Sequence, residues 1–160
     1  RQMMRYITEK HQKDSNMAFT LGMGDIDFFK KVNDTYGHDK GDMVLRTLSR
    51  VISQYTDDTI HAGRYGGEEF LILFSGYTRK QAGKILEGML TNFRNQEYDF
   101  LPEDVIITFS AGFTYLDNKN MDVEGFIKCA DEALYYSKEH GRNQITYYND
   151  LRLRDMQVNR

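Results

Sequence analysis

The chain has 160 residues, 40% of them hydrophobic and 28% charged, with a single proline, which is the composition of one globular domain with a real core. Its 21 basic and 24 acidic side chains leave a net charge of −3, so it lacks the basic footprint that a nucleic-acid partner leaves. One cysteine, Cys129, excludes an internal disulfide, and no apolar run approaches the ~20 residues that span a bilayer.

No secretory leader is visible, and the lone cysteine fits a reducing, cytoplasmic setting. The chain opens at Arg1-Gln2-Met3 without an initiator Met. A single catalytic-type domain over residues 1–160 is therefore expected as a piece of a longer protein. A sensor or membrane segment is expected upstream of it.

Residues 3–13 read as a polar helix with Met4, Ile7 and His11 on one face, broken by Asp14-Ser15-Asn16. Residues 17–25 alternate, with Phe19, Leu21 and Met23 to one side, and form the first core strand. Gly22 and Gly24 inside it mark a close approach of another backbone or a ligand. Asp25-Ile26-Asp27 ends the strand and residues 28–34 begin a short helix, with Asp27 as its cap. A helix N-terminus beside a carboxylate is a natural seat for a phosphate held through a cation. The competing reading is a plain cap with solvated Lys30 and Lys31. A calcium loop is rejected, because Phe29 and Lys30 stand where a ligand and a glycine are needed.

Residues 35–42 form a glycine-punctuated turn into a helix carrying Val44, Leu45, Leu48, Val51, Ile52 and Tyr55 at helical spacing. Asp42 falls in its first turn, where it also suits the helix dipole. Two apolar runs, 59–65 and 70–74, flank Gly66-Gly67 and read as a β-hairpin with a tight turn at positive φ. Glu68 and Glu69 follow the turn, and strand alternation sends them to opposite faces. A charged pair leading into a buried strand is costly unless a metal ion or a substrate hydroxyl meets it; otherwise it is a solvated tip.

Residues 78–93 form an amphipathic helix with Ala82, Ile85, Leu86, Met89, Leu90 and Phe93 inward. A loop with Pro102 follows, then a long β-rich run over 105–115 with Gly112 as a bulge. Asp122 caps a helix carrying Val123, Phe126, Ile127, Ala130, Leu134 and Ser137, which Gly141 ends. Lys138 and Arg142 bracket that end, where cations satisfy the last carbonyls. Residues 144–148 make a last strand and the tail is polar. Hairpin and crossover connections together imply a mixed central sheet with helices packed on it, an α+β domain.

Five separated blocks resemble one family. They are Asp25-Ile26-Asp27-Phe28-Phe29-Lys30-Lys31-Val32-Asn33-Asp34, Gly37-His38-Asp39-Lys40-Gly41-Asp42, Arg64-Tyr65-Gly66-Gly67-Glu68-Glu69-Phe70, Thr108-Phe109-Ser110-Ala111-Gly112, and Ala133-Leu134-Tyr135-Tyr136-Ser137-Lys138-Glu139-His140-Gly141-Arg142-Asn143. Together they resemble the GGDEF domain of diguanylate cyclases, in the GGEEF form of its signature. The resemblance implies a ferredoxin-like core similar to adenylyl cyclases and polymerase palms. It implies condensation of two GTP into cyclic di-GMP with release of two pyrophosphates, across a two-fold dimer of the domain. It also implies two Mg²⁺ or Mn²⁺ ions per site, held by Asp25, Glu68 and the Ile26 carbonyl. By the same resemblance Asn33 and Asp42 read guanine, and the backbone N–H groups of Phe28 and Phe29 hold phosphate. Lys30, Lys138 and Arg142 are its phosphate-binding cations, and Glu69 orients or deprotonates the attacking hydroxyl.

Two departures stand out. The family's Arg-x-x-Asp product-inhibition site, just before the signature, is Asp57-Asp58-Thr59-Ile60 here, which predicts no feedback through it. The family's usual lead into the first strand is also missing. The alternative reading is a catalytically inactive GGDEF module that binds GTP or cyclic di-GMP and signals by contact. A third, a cyclase accepting ATP, is disfavoured by Asp42, which accepts the N1–H and N2–H₂ donors that guanine offers and adenine does not.

Overall fold

The computed structural model describes residues 5, 6, 9, 18–116 and 123–151. Of the expected first helix, Arg5, Tyr6 and Glu9 are described and helical. The rest of that helix, the Asp122 cap and the end of the polar tail lie outside the described residues.

Five strands form one sheet: β1 (Phe19–Ile26), β2 (Ile60–Gly66), β3 (Glu69–Ser75), β4 (Phe109–Leu116) and β5 (Ile145–Tyr147). Their spatial order is β2-β3-β1-β4-β5, antiparallel throughout except for the parallel β4–β5 pair. The helices are α1 (Phe29–Tyr36), α2 (His38–Ser53), α3 (Arg79–Arg94) and α4 (Val123–Glu139). The domain is the mixed α+β fold that the pattern predicts.

Strand β1 is central, and all eight of its residues are buried. Its alternation sorts the two faces. Phe19, Leu21 and Met23 join Leu71 and Leu73 under Phe126, Ala130 and Leu134 of α4. Ile26, Phe70, Ile72, Phe74, Phe109 and Phe113 face α2 and α3 through Val44, Leu48, Leu86, Met89 and Phe93. Burying each such Leu, Met or Phe contributes about 1.5–3 kcal/mol, so this second, larger face carries most of the stability. Helix α3 starts as a capping box, Thr78 with Gln81, and its predicted inward residues are buried except for the half-buried Ile85.

Several local expectations are corrected. The strand expected over 105–115 begins only at Phe109; Val105 and Ile106 are exposed in the preceding loop. Gly112 makes no bulge, because its register with Met23 and Thr146 is regular. A Cβ there would lie 2.1 Å from the Leu134 nitrogen and 2.5 Å from the Ala133 carbonyl carbon, so glycine lets α4 lie directly on the sheet. In β1 it is side chains that come closest to the two glycines. The Phe70 ring covers Gly24, where a Cβ would meet it at 2.2 Å, and Leu86 lies over Gly22 at 3.3 Å.

The hairpin forms, but its two-residue tip is Gly67-Glu68, since Gly66 pairs with Glu69. Among the described residues positive-φ glycines are Gly37, Gly76 and Gly141, so neither signature glycine uses that region. An irregularity between Arg64 and Gly66 bends the strand, and the Arg64 Nε and Nη2 both donate to the Gly67 carbonyl, at 2.9 and 2.6 Å. A side-chain clamp closes the turn in place of a special backbone conformation.

Candidate functional site

The candidate site lies at one end of the sheet, where β1 stops and the β2–β3 hairpin turns. Asp25 continues the Phe19, Leu21, Met23 period, and across the ladder its partner is Glu69. Paired strand residues share a face, so these two carboxylates stand side by side on the α4 side of the sheet. Glu68 sits in the hairpin tip, its carbonyl accepting from the Ile26 N–H at 3.4 Å. The ends of β1 and the hairpin are thereby tied together, with Ile26 and Glu68 adjacent.

Burial pushes the Asp25 carboxyl above its ordinary value; Lys138 opposes the rise, and the nearby Glu68 and Asp27 add to it. Burial likewise raises Glu69, with Asp25, Asp131 and Glu68 adding repulsion and Lys138 relieving it. The site is therefore a carboxylate cluster short of positive charge. Lys138, on the last turn of α4, donates from Nζ to Asp25 Oδ2 at 2.5 Å.

Those carboxylates fit a hard divalent cation. Among the described residues no three His, Cys, Asp or Glu side chains gather closely enough to cage a metal by themselves. Mg²⁺ is commonly held in just this way, by one or two carboxylates with substrate phosphates completing its shell. Two carboxylates raised by burial and mutual repulsion supply that donor set.

Helix α1 starts beside the cluster. Asp27 does not cap it. Phe28 is the N-cap, in the left-handed region at φ 56°, and the helix end has no side-chain cap. Val32 is the residue whose N–H returns to the Phe28 carbonyl. The first-turn N–H groups that precede it have no partner within the helix, and no acidic side chain stands among them. The Phe28 ring is 61% exposed, and the Arg142 guanidinium lies 4.6 Å from its centroid. Lys30, in the first turn of α1, is almost fully exposed and faces Asp34 at 3.8 Å, not the carboxylate cluster.

Asp27 itself is buried. Its oxygens accept from the Thr108 hydroxyl (2.7 Å), the Ser110 hydroxyl (2.7 Å) and the Asn143 backbone N–H (3.0 Å), with Arg142 Nη1 at 3.7 Å. The sequence reading missed this junction. The polar Thr108 and Ser110, alternating within an otherwise apolar run, were the available signal.

Asn33 and Asp42 lie on α1 and α2, on either side of the turn at Gly37. Asp42 is exposed and stands in the second turn of α2, because the helix starts at His38; Asp39 is the acid of the first turn. Asn33 packs on Gly41, where a Cβ would lie 1.8 Å from its Oδ1. A groove of about 430 Å³ lies between α2 and the hairpin, and neither Asn33 nor Asp42, nor Lys138 or Arg142, lines it. Its lining includes Leu45, Arg46, Ser49, Arg64, Glu68 and Glu69. A cleft of this size holds a small molecule, and its end carries the carboxylates. Gly67 borders it with open space where a Cβ would stand.

The GGDEF model, described as "Diguanylate cyclase, GGDEF domain", matches residues 1–144. Diguanylate cyclase A of Treponema denticola is 36% identical over 147 residues, covering 90% of this chain and 39% of that protein. An uncharacterized membrane protein of Staphylococcus haemolyticus is 32% identical, covering 88% and 40%. The chain thus spans about two fifths of the length of these curated relatives. Among solved structures, the GGDEF domain of DgcB from Caulobacter crescentus in complex with c-di-GMP superposes with a TM-score of 0.81. It is 31% identical, covering 91% of this chain and 85% of that one. The active GGEEF domain of a diguanylate cyclase from Vibrio cholerae gives 0.77 at 31% identity, covering 91% of each chain. The carboxylate-bearing sheet end, the uncapped helix and these likenesses agree: the chain belongs to the GGDEF domain family of diguanylate cyclases.

Proposed function

We propose that the domain is an active diguanylate cyclase, condensing two GTP into cyclic di-GMP and releasing two pyrophosphates across a two-fold dimer. The observation that carries this reading is the gathering of Asp25, Glu68 and Glu69 beside the uncapped start of α1. Asp25, Glu68 and the Ile26 carbonyl would hold divalent cations, Mg²⁺ or Mn²⁺, two per site. Such ions, when bound, neutralise the triphosphate and lower the pKa of the attacking 3′ hydroxyl.

The chain's own residues do the rest. The N–H groups at Phe28 and Phe29 and the cations Lys138 and Arg142 hold the triphosphate in line for attack. Lys138 exchanges its Asp25 partner for phosphate oxygens as the substrate arrives, and Lys30 swings in from solvent. Asp42 accepts from guanine N1–H and N2–H₂ while Asn33 bonds the same base. Glu69, raised by burial, is matched to taking or orienting the proton of the attacking hydroxyl.

Feedback through the position of the family's inhibition site is not expected. Asp57 there is engaged locally, accepting from the Thr59 N–H and hydroxyl and from the Ile60 N–H. Among the described residues no helix is long and apolar enough to cross a membrane. We place the domain in the cytoplasm, tethered to an upstream sensor or membrane segment that brings two copies together.

The test is product analysis after incubating concentrated protein with GTP and Mg²⁺, beside an ATP control. Cyclic di-GMP from GTP alone is the expected result. GTP binding without product, in a chain forced into dimers, would replace this reading with that of an inactive nucleotide-binding module.

A further inference from the structure

Among the described residues, three that are not glycine adopt positive φ: Phe28 (56°), Arg142 (62°) and Asn143 (48°). Such backbone is unfavourable for an L residue and persists where its surroundings hold it. All three surround one side chain. Phe28 follows Asp27 in the chain, Asn143 donates its N–H to Asp27 Oδ2, and Arg142 faces Asp27 Oδ1. The same two oxygens also accept from the Thr108 hydroxyl, just before β4, and the Ser110 hydroxyl within it. The Asp27 N–H in turn donates to the Thr108 carbonyl at 2.9 Å.

We propose that Asp27 is a positioning residue for triphosphate binding: it pins the 142–143 turn to the end of β1, setting the Arg142 guanidinium over Phe28 and fixing the first turn of α1. This rests on the reading of Arg142 as a phosphate cation. Asp27 stands two residues from Asp25, and the sequence reads it as the cap of α1. Its partners argue otherwise. Both oxygens are committed to neutral donors and to Arg142, and the side chain is 2% exposed. The strain at 28, 142 and 143 then has a use, since it places an arginine and the first N–H groups of a helix on the same side of one anchor. An aspartate suits the anchor because its two oxygens accept from several directions at once.

The test is the affinity of the chain, by calorimetry, for the α,β-methylene analogue of GTP, which binds without releasing pyrophosphate. Arg142→Ala should weaken binding about tenfold, the order expected for a lost hydrogen bond to a charged group. Asp27→Asn should weaken it by a similar factor, and the double variant should be no weaker than Arg142→Ala alone. The half-saturating Mg²⁺ concentration should be the same in Asp27→Asn as in the parent. If Asp27→Asn does not fold, Thr108→Val removes only one donor to the same carboxylate and should lower affinity about threefold, again only while Arg142 is present. Losses that simply add, a raised Mg²⁺ requirement in Asp27→Asn, or an unchanged affinity in the folded variant would each overturn the proposal. An unchanged affinity in Arg142→Ala would remove the underlying reading as well. A loss in Arg142→Ala without one in Asp27→Asn removes the positioning role alone.

Discussion

The two faces of the sheet are built differently. Toward α2 and α3 the small positions of β1 are filled by side chains, Leu86 over Gly22 and the Phe70 ring over Gly24. Toward α4 the contact at Gly112 is backbone on backbone, and the same face ends in Asp25, Glu69 and Lys138. The first face is a conventional hydrophobic core. The second has its own apolar cluster of Phe19, Leu21, Met23, Phe126 and Leu134, and it holds one helix at a fixed height, which sets where Lys138 meets the carboxylates. A fixed height is what a site needs, because its side chains must be held to within fractions of an ångström.

The sharpest way to break the comparison is to add one methyl group to each face. In Gly112→Ala the new Cβ meets the Leu134 nitrogen, the Ala133 carbonyl carbon and the Ala130 oxygen, all under 3 Å and all backbone. Helix α4 must lift, at a cost of about 3 kcal/mol or more, which lowers Tm by roughly 6–12 °C. Gly22→Ala meets the Leu86 methyls at 3.3 and 3.4 Å, which can give, and the Ile72 carbonyl oxygen only at an ordinary 3.8 Å, and should cost less than about 1 kcal/mol. Thermal unfolding of the two variants ranks them; equal losses would mean that α4 is not held by this contact.

Next in size is the charged end of the α4 face. Glu68→Gln should lower turnover of GTP about 10²–10³-fold, the order of losing one electrostatic contact in the transition state. Tm should stay within about 2 °C, because removing a charge from a repelling cluster does not weaken the core. A collapse in Tm would make Glu68 a structural residue of the hairpin. Asp42→Ser, on the far side of the site, should cut the preference for GTP over ATP about ten- to a hundredfold, measured as competing product formation. Undiminished preference would remove the guanine contact from Asp42.

The fold was largely legible in advance, because the periodicities of β1, α2, α3 and α4 are strong and the β1 alternation sorts both cores. What escaped the pattern were contacts between elements distant in sequence. Gly112 looked like a bulge because a glycine in a strand is equally consistent with a kink and with a helix pressed onto it. Asp27 looked like an N-cap because residue type and position suited one; its partners, Thr108, Ser110 and Asn143, lie more than 80 residues away. The tip glycines looked like a positive-φ turn because the Arg64 clamp on the Gly67 carbonyl is a side-chain contact that no turn propensity records. The site residues came from motif resemblance, and periodicity could not have supplied them. Asn33 and Asp42 would pass for ordinary helix-surface residues without it.

The smallest effect probes the carboxylate cluster by pH. The Glu69 carboxyl is raised by burial and by repulsion from Asp25. Between its ordinary value and its raised one, the folded chain binds more protons than the unfolded chain. Stability therefore falls as pH rises through that window, and the loss persists at neutral pH. Glu69→Gln removes the penalty. In chelator, at pH 7, its Tm should exceed the parent's by about 1–2 °C, a modest gain because the side chain is partly solvated. The gain should vanish as pH falls below the ordinary glutamate value, where both states are protonated. Saturating Mg²⁺ should shrink it too, since a cation held by Asp25 and Glu68 also offsets the charge of Glu69, which the glutamine variant lacks. A gain that persists unchanged in acid would trace to packing of the amide, and the charged end of the α4 face would no longer differ electrostatically from its apolar remainder.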